Sequence, residues 1–207
     1  MSIKQDNIDM TRVGPGTVMG NFMREYWIPA AKSNELDNDG TPMRLMLLGE
    51  KLIAFRDSNG EPGIIGAYCP HKLAPLYFGR NEECGLRCVY HGWKYSYDGQ
   101  CIDMPNEPPG KGFKEKVKLT AYPAREHGGV IWIYMGPAEA MPPLPEYEWT
   151  LVPDTHRYTS KRRHFTNYLQ AVDGTLDSSH VTFLHADAPL WHPSWTHQMK
   201  SARKHVL

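Results

Sequence analysis

Long apolar runs are missing from this 207-residue chain. The best stretch, Val130 to Met135, is strand-sized and far short of the roughly eighteen apolar residues of a membrane span, so no membrane partner is expected. An excess of charge is missing too: Lys plus Arg and Asp plus Glu are both 23. A balanced chain carries no electrostatic footprint for nucleic acid. Cysteine is scarce, at four residues, and Met1 to Gly16 is polar, without an apolar segment before a small-residue cleavage site. A disulfide scaffold is therefore excluded, and a reducing cytoplasmic compartment that keeps thiolates available is expected. There is no internal repeat and no low-complexity tract. Glycine (18) and proline (17) are plentiful instead, which favours short strands and many turns over a helical bundle.

The length allows one full domain and part of another. Residues 1–40 read as an amino-terminal helix and lead-in, with Val18, Phe22, Met23 and Tyr26 at helical spacing up to Pro29, a stripe expected to pack. Residues 41–135 read as a small antiparallel β domain, a sandwich or barrel with two ligand loops. Its strands are predicted at 44–48, 52–56 and 64–68, the last running directly into Cys69. Further strands are predicted at 94–97 and 100–102 around the Asp98-Gly99 turn, and at 121–126 and 130–134 around Gly128-Gly129. Residues 136–150, with Pro137, Pro142, Pro143 and Pro145, read as a stiffened linker. Residues 151–207 read as the incomplete start of an α+β domain, with a basic-edged strand over 158–165 and a helix from Asn167.

Chemistry concentrates at two places. The first is Cys69-Pro70-His71, followed after sixteen residues by Cys88-Val89-Tyr90-His91. One thiolate and one imidazole from each of two loops suit a two-iron cluster in which one iron takes both sulfurs and the other both nitrogens. Zinc also accepts two Cys and two His, although such sites usually pair like with like. Pro70 stiffens the first loop and Gly92 lets the chain pass close beside His91. Cys84 and Cys101 are surplus to the ligand set and read as packing.

The second place is Asp173, Asp177, His180 and His185. Two histidines and carboxylates so close together resemble part of a two-His-one-carboxylate site for ferrous iron. On one helix, at about 100° per residue, Asp173, Asp177 and His180 share a face, while His185 falls about 140° from His180. A helix must therefore end or distort before His185 if both imidazoles serve one metal. By spacing alone, Asp177 or Asp187 is the candidate carboxylate.

The two motifs in this order resemble the large subunits of Rieske non-haem iron oxygenases, and the segment Asn167 to His185 is especially similar to the phthalate and phenoxybenzoate dioxygenase branch. The resemblance implies that Cys69, His71, Cys88 and His91 hold a 2Fe-2S cluster and that His180 and His185 bind a mononuclear Fe(II). It implies further that Asp177 is an inter-subunit electron bridge and that the carboxylate ligand lies downstream of Leu207, as in an amino-terminal portion of a longer subunit. The implied partners are an NADH-dependent ferredoxin or flavin reductase, an aromatic substrate, O2, and two further copies in a homotrimer. An electron carrier holding only the cluster is the other reading. Lys72, Leu73 and Ala74 depart from the Arg and small residues usual in that family.

Overall fold

The computed structural model describes residues 3–185 except 109 and 111. The chain divides after Arg162 into two compact units. Among the described residues no helix is long and apolar enough to cross a membrane.

The first unit opens with α1 (Ile3–Thr11) and α2 (Val18–Arg24). Thr17 caps α2, its hydroxyl accepting the Gly20 N–H at 3.1 Å, as a short oxygen-bearing side chain does at a helix start. The apolar stripe of α2 does not pack as expected, because Val18, Phe22 and Tyr26 are more than half exposed. The helix turns its glycine inward instead: a Cβ on Gly20 would stand 2.2 Å from the Gly14 carbonyl oxygen. Strand β1 (Trp27–Lys32) follows, unforeseen because Pro29 reads as a terminator. The proline is tolerated at a break in register between Pro29 and Ala31, where a missing N–H costs no ladder bond.

The next strands are β2 (Met43–Leu47), β3 (Glu50–Arg56), β4 (Pro62–Gly66), β5 (Arg80–Glu82), β6 (Gly85–Arg87), β7 (Lys94–Tyr95) and β8 (Cys101–Asp103). They are followed by β9 (Ala121–Tyr122), β10 (Ala124–His127) and β11 (Val130–Tyr134). The strand expected over 121–126 is thus cut at Pro123, and its halves join different sheets. Three antiparallel sheets result, ordered β1-β11-β10, β2-β3-β4-β9 and β5-β6-β7-β8.

The alternation of side chains along β3 and β4 stacks these sheets. Ile53, Phe55 and Ile65 face a core shared with Leu76, Leu86 and Tyr95. Leu52, Ala54 and Ile64 face the opposite core, shared with Ile131 and Ile133. A sheet buried on both faces reads as continuous apolar runs, as Leu52-Ile53-Ala54-Phe55 does, and full burial of each large side chain stabilises by about 1.5–3 kcal/mol. The proline-rich stretch lies along the outer side of the first sheet: Trp27 Nε1 donates to the Pro142 carbonyl at 2.9 Å, and Met141 and Leu144 pack on Trp27, Trp132 and Tyr134. It ends in α3 (Glu148–Leu151). There Thr150, buried, donates its hydroxyl hydrogen to the Tyr147 carbonyl and meets His127 Nε2 at 2.7 Å.

The strand expected over 158–165 does not form; Tyr158 and Phe165 are about nine-tenths exposed, with no ladder to join. The second unit contains α4 (Tyr168–Leu176) and α5 (Ser179–Leu184). Asn167 caps α4 by accepting the Leu169 N–H.

Candidate metal centres

The two loops that carry Cys69 and Cys88 are the same turn built twice. In the first, Cys69 N–H donates to Ala74 O and Leu73 N–H donates to Cys69 O; in the second, Cys88 N–H donates to Trp93 O and Gly92 N–H to Cys88 O. The fifth residue of each turn is left-handed, Leu73 at φ +55° and Gly92 at φ +76°. The loops differ in where the histidine stands, third in one and fourth in the other. Gly92 answers to close approach as well as to φ, since a Cβ there would lie 2.8 Å from Pro105 Cγ. Cys69 does not follow its strand directly: β4 ends at Gly66, and a bridge between Tyr68 and Pro75 closes the neck of the loop.

Sulfurs and imidazoles separate by depth. Cys69 and Cys88 are 2% and 3% exposed and belong to one core cluster. His71 and His91 sit at the partly exposed rim with ring centroids 4.6 Å apart. His71 stacks on Trp93 at 4.4 Å and 6°, and its Nδ1 is buried without a partner. A buried nitrogen without a hydrogen bond is costly unless a ligand takes its lone pair. Two sulfurs below, two imidazoles above and an orphaned ring nitrogen fit a two-iron cluster whose irons differ in ligation. Among the described residues no three such side chains converge as ligands of one ion would.

Burial pushes the Cys69 thiol above its usual range, so ligation there, which needs the thiolate, releases a proton. Partial burial, then the neighbouring His91 and Lys72 charges, hold His71 below its usual value, which favours the neutral ring that metals bind. The surplus thiol of Cys101 is buried and pushed up to about 11, chiefly by that burial. Cys84 is partly exposed and accepts from Asn59 Nδ2. All four cysteines are free.

Four further residues serve this centre that the sequence reading did not single out for it. Tyr95 hydroxyl lies 3.2 Å from Cys69 Sγ, and burial with that contact drives the phenol far above its usual value. Asn106 accepts from Trp93 Nε1 at 2.8 Å, fixing the ring that stacks on His71. Arg87 and Asp103 pair at 2.6 Å beneath the second loop. For Tyr95, the sequence signal was its place two residues after Trp93, where an extended chain puts alternate side chains on one side.

In the second unit the helix breaks earlier than expected. Asp177 is extended, and its Oδ1 accepts from Ser179 N–H at 2.9 Å and Ser179 Oγ at 2.6 Å, starting a new helix at the Asp-Ser-Ser run. Its Oδ2 stands 3.4 Å from His180 Nδ1. The Ser179 hydroxyl and N–H hold the Asp177 carboxyl below its usual range. α5 then ends at Leu184, which frees His185 from the helical register and brings its ring within 5.5 Å of His180. Asp173 enters through its backbone carbonyl, which accepts from Asp177 N–H, and not through the shared face expected of one continuous helix. Asp187 lies outside the described residues.

Residues 26–123 match the model of the Rieske [2Fe-2S] domain. Over 89% of its length the chain is 49% identical to the 3-chlorobenzoate-3,4-dioxygenase oxygenase subunit of Comamonas testosteroni, and this covers 43% of that relative. It is 41% identical, over 90% of its length, to the phthalate 4,5-dioxygenase oxygenase subunit of Pseudomonas putida, again covering 43% of the relative. Among solved structures, dicamba monooxygenase with non-haem iron and dicamba superposes with a TM-score of 0.56 at 27% identity, over 64% of this chain and 40% of that one. The chain thus spans about two fifths of the length of the proteins it matches.

Proposed function

We propose that this chain, whose residues 26–123 match the Rieske [2Fe-2S] domain, acts in an oxygenase component that relays electrons from a reductase to a mononuclear non-haem iron, for O2-dependent hydroxylation of an aromatic substrate. The observation that carries this reading is the pair of matched loops, sulfurs buried and imidazoles at the rim, followed in the chain by Asp177 Oδ2 at 3.4 Å from His180 Nδ1 and by the His180 and His185 rings in contact. A carrier with a single cluster has no use for the second group.

Cys69, His71, Cys88 and His91 are the proposed cluster ligands. When bound, such a cluster supplies one-electron transfer at about −150 to +300 mV, above all-cysteine ferredoxins. The protein's own residues prepare that site. Tyr95 offers a hydroxyl to one ligand sulfur, Trp93 holds one ligand ring in plane, and the core around Leu76 and Leu86 keeps water from the sulfur side.

His180 and His185 are the proposed ligands of the second iron, in a domain begun by the second unit. Asp177 orients His180 through its Nδ1, leaving the other ring nitrogen for metal, and its low pKa keeps it an acceptor at neutral pH. A reducing cytoplasm, an NADH-dependent ferredoxin or flavin reductase and a homotrimer complete the proposal. The free cysteines support the first, and resemblance supports the others.

Iron analysis and electron paramagnetic resonance of the reduced chain test the cluster. Two irons in a Rieske-type signal are expected, abolished in Cys88→Ser, and a colourless protein without reducible iron would refute the assignment.

A further inference from the structure

We propose that Arg87 is the positioning residue of the second ligand loop: its guanidinium sets where His91 stands by holding the carbonyl of the residue that follows it. This rests on the reading of the loops as a cluster site and goes beyond the ligands themselves. β6 ends at Arg87, immediately before Cys88, and Arg87 is paired in the sheet with Arg80 on one side and Lys94 on the other. Its side chain, 13% exposed, lies under the loop. Nη1 donates to Gly92 O at 2.8 Å and to Asp103 Oδ2 at 2.6 Å, and Nε donates to Glu82 Oε1 at 2.6 Å.

Glu82 stands on β5 and Asp103 on β8, the two edges of the four-stranded sheet. The fork therefore ties both edges of the sheet to the loop tip. The carboxylates are held ionised, each below its usual range, chiefly by the hydrogen bond from Arg87, so they anchor the guanidinium at neutral pH. Gly92 is the left-handed residue on which the loop turns, and its carbonyl fixes the Gly92–Trp93 peptide plane, one α-carbon beyond the peptide joined to His91. The first loop is braced by other means, Trp93 against His71 and Tyr95 against Cys69. Arg87 thus acts on one loop of an otherwise matched pair. Lysine cannot substitute, because three bonds in three directions need a rigid planar fork and an ammonium on a flexible stem offers no fixed geometry.

The test uses the full chain, wild type against Arg87→Lys and Arg87→Met, with hydrogen exchange read by mass spectrometry on peptides covering residues 69–74 and 88–93, and the g-values of the reduced cluster. Loss of one charge-assisted bond is expected to speed exchange in the second loop by about tenfold, with the first loop unchanged and the g-values shifted. Equal exchange and an unshifted spectrum in Arg87→Lys would overturn the proposal, as would equal acceleration of both loops, which marks general loosening. If Arg87→Met does not fold, Arg87→Lys decides. A wild-type chain without a Rieske signal would defeat the cluster reading, and the exchange comparison on the metal-free chain would still decide what Arg87 holds.

Discussion

At the scale of single residues, the centre depends on groups that are not ligands. The Tyr95 hydroxyl is 3.2 Å from Cys69 Sγ and sits in the core. A donor to a ligand sulfur stabilises the more negative, reduced state and so raises the potential. Tyr95→Phe should lower the midpoint potential by about 60 mV, the one-electron equivalent of about 1.4 kcal/mol for one hydrogen bond to a charged group. Potentiometric titration followed by electron paramagnetic resonance measures this, and an unchanged midpoint would show that the contact does not reach the sulfur's charge. The proposed ligands stood out in the sequence because thiolates and imidazoles at mixed spacing have few other uses. Tyr95, Arg87 and Asn106 were not, because a tyrosine, an arginine and an asparagine become informative once a fold places them against a sulfur, a carbonyl or an indole.

At the scale of elements, the strongly patterned strands were legible. Strands predicted at 44–48, 52–56 and 130–134 are matched by β2, β3 and β11 within two residues at either end, because alternating or continuous apolar runs bounded by turn residues mean the same thing in any context. What failed did so for positional reasons. Pro29 sits inside β1 where the register slips, Pro123 divides a run between two sheets, and Tyr158 to Phe165 has strand-like residues with no strand beside them. The break at Asp177 was hidden because Asp-Ser-Ser is compatible with a helix surface and equally with a cap.

The proline-rich stretch offers a prediction at this scale. It is fastened at Thr150, whose hydroxyl joins His127 Nε2 and the Tyr147 carbonyl. Thr150→Val keeps the Thr150 N–H bond to the Tyr147 carbonyl but takes the hydroxyl partner from His127 Nε2, and should cost about 0.5–1.5 kcal/mol in urea unfolding, while Thr150→Ser should keep most of that stability. A valine variant as stable as wild type would mean that the aromatic packing of Trp132, Tyr147 and Trp149 fastens the stretch unaided.

At the scale of the whole molecule, charge is balanced but its ionisation is not neutral toward stability. Arg87 holds Asp103 and Glu82 below their usual values, and the Ser96 hydroxyl does the same for Asp98. Carboxyls depressed in the folded state contribute stability that is fully present above their unfolded values and lost as pH falls through the folded ones. The fold should therefore weaken in acid, and these partly exposed pairs make the contribution salt-dependent. Urea midpoints measured from neutral pH down to about pH 3 should fall for wild type and fall less for Asp103→Asn. Parallel curves would remove Asp103 from the account.

The pairing of Trp27 with Tyr134 in β1 and β11 also sets a timetable. β1 is made early, and its partner is more than one hundred residues further along the chain. At ribosomal speed that is a wait on the order of ten seconds. During it both ligand loops and the sheet beneath them are completed, while β1 stands with unpaired backbone and Trp27 uncovered. Biogenesis therefore exposes a sticky edge in the nascent protein while the cysteines of both loops are already in place.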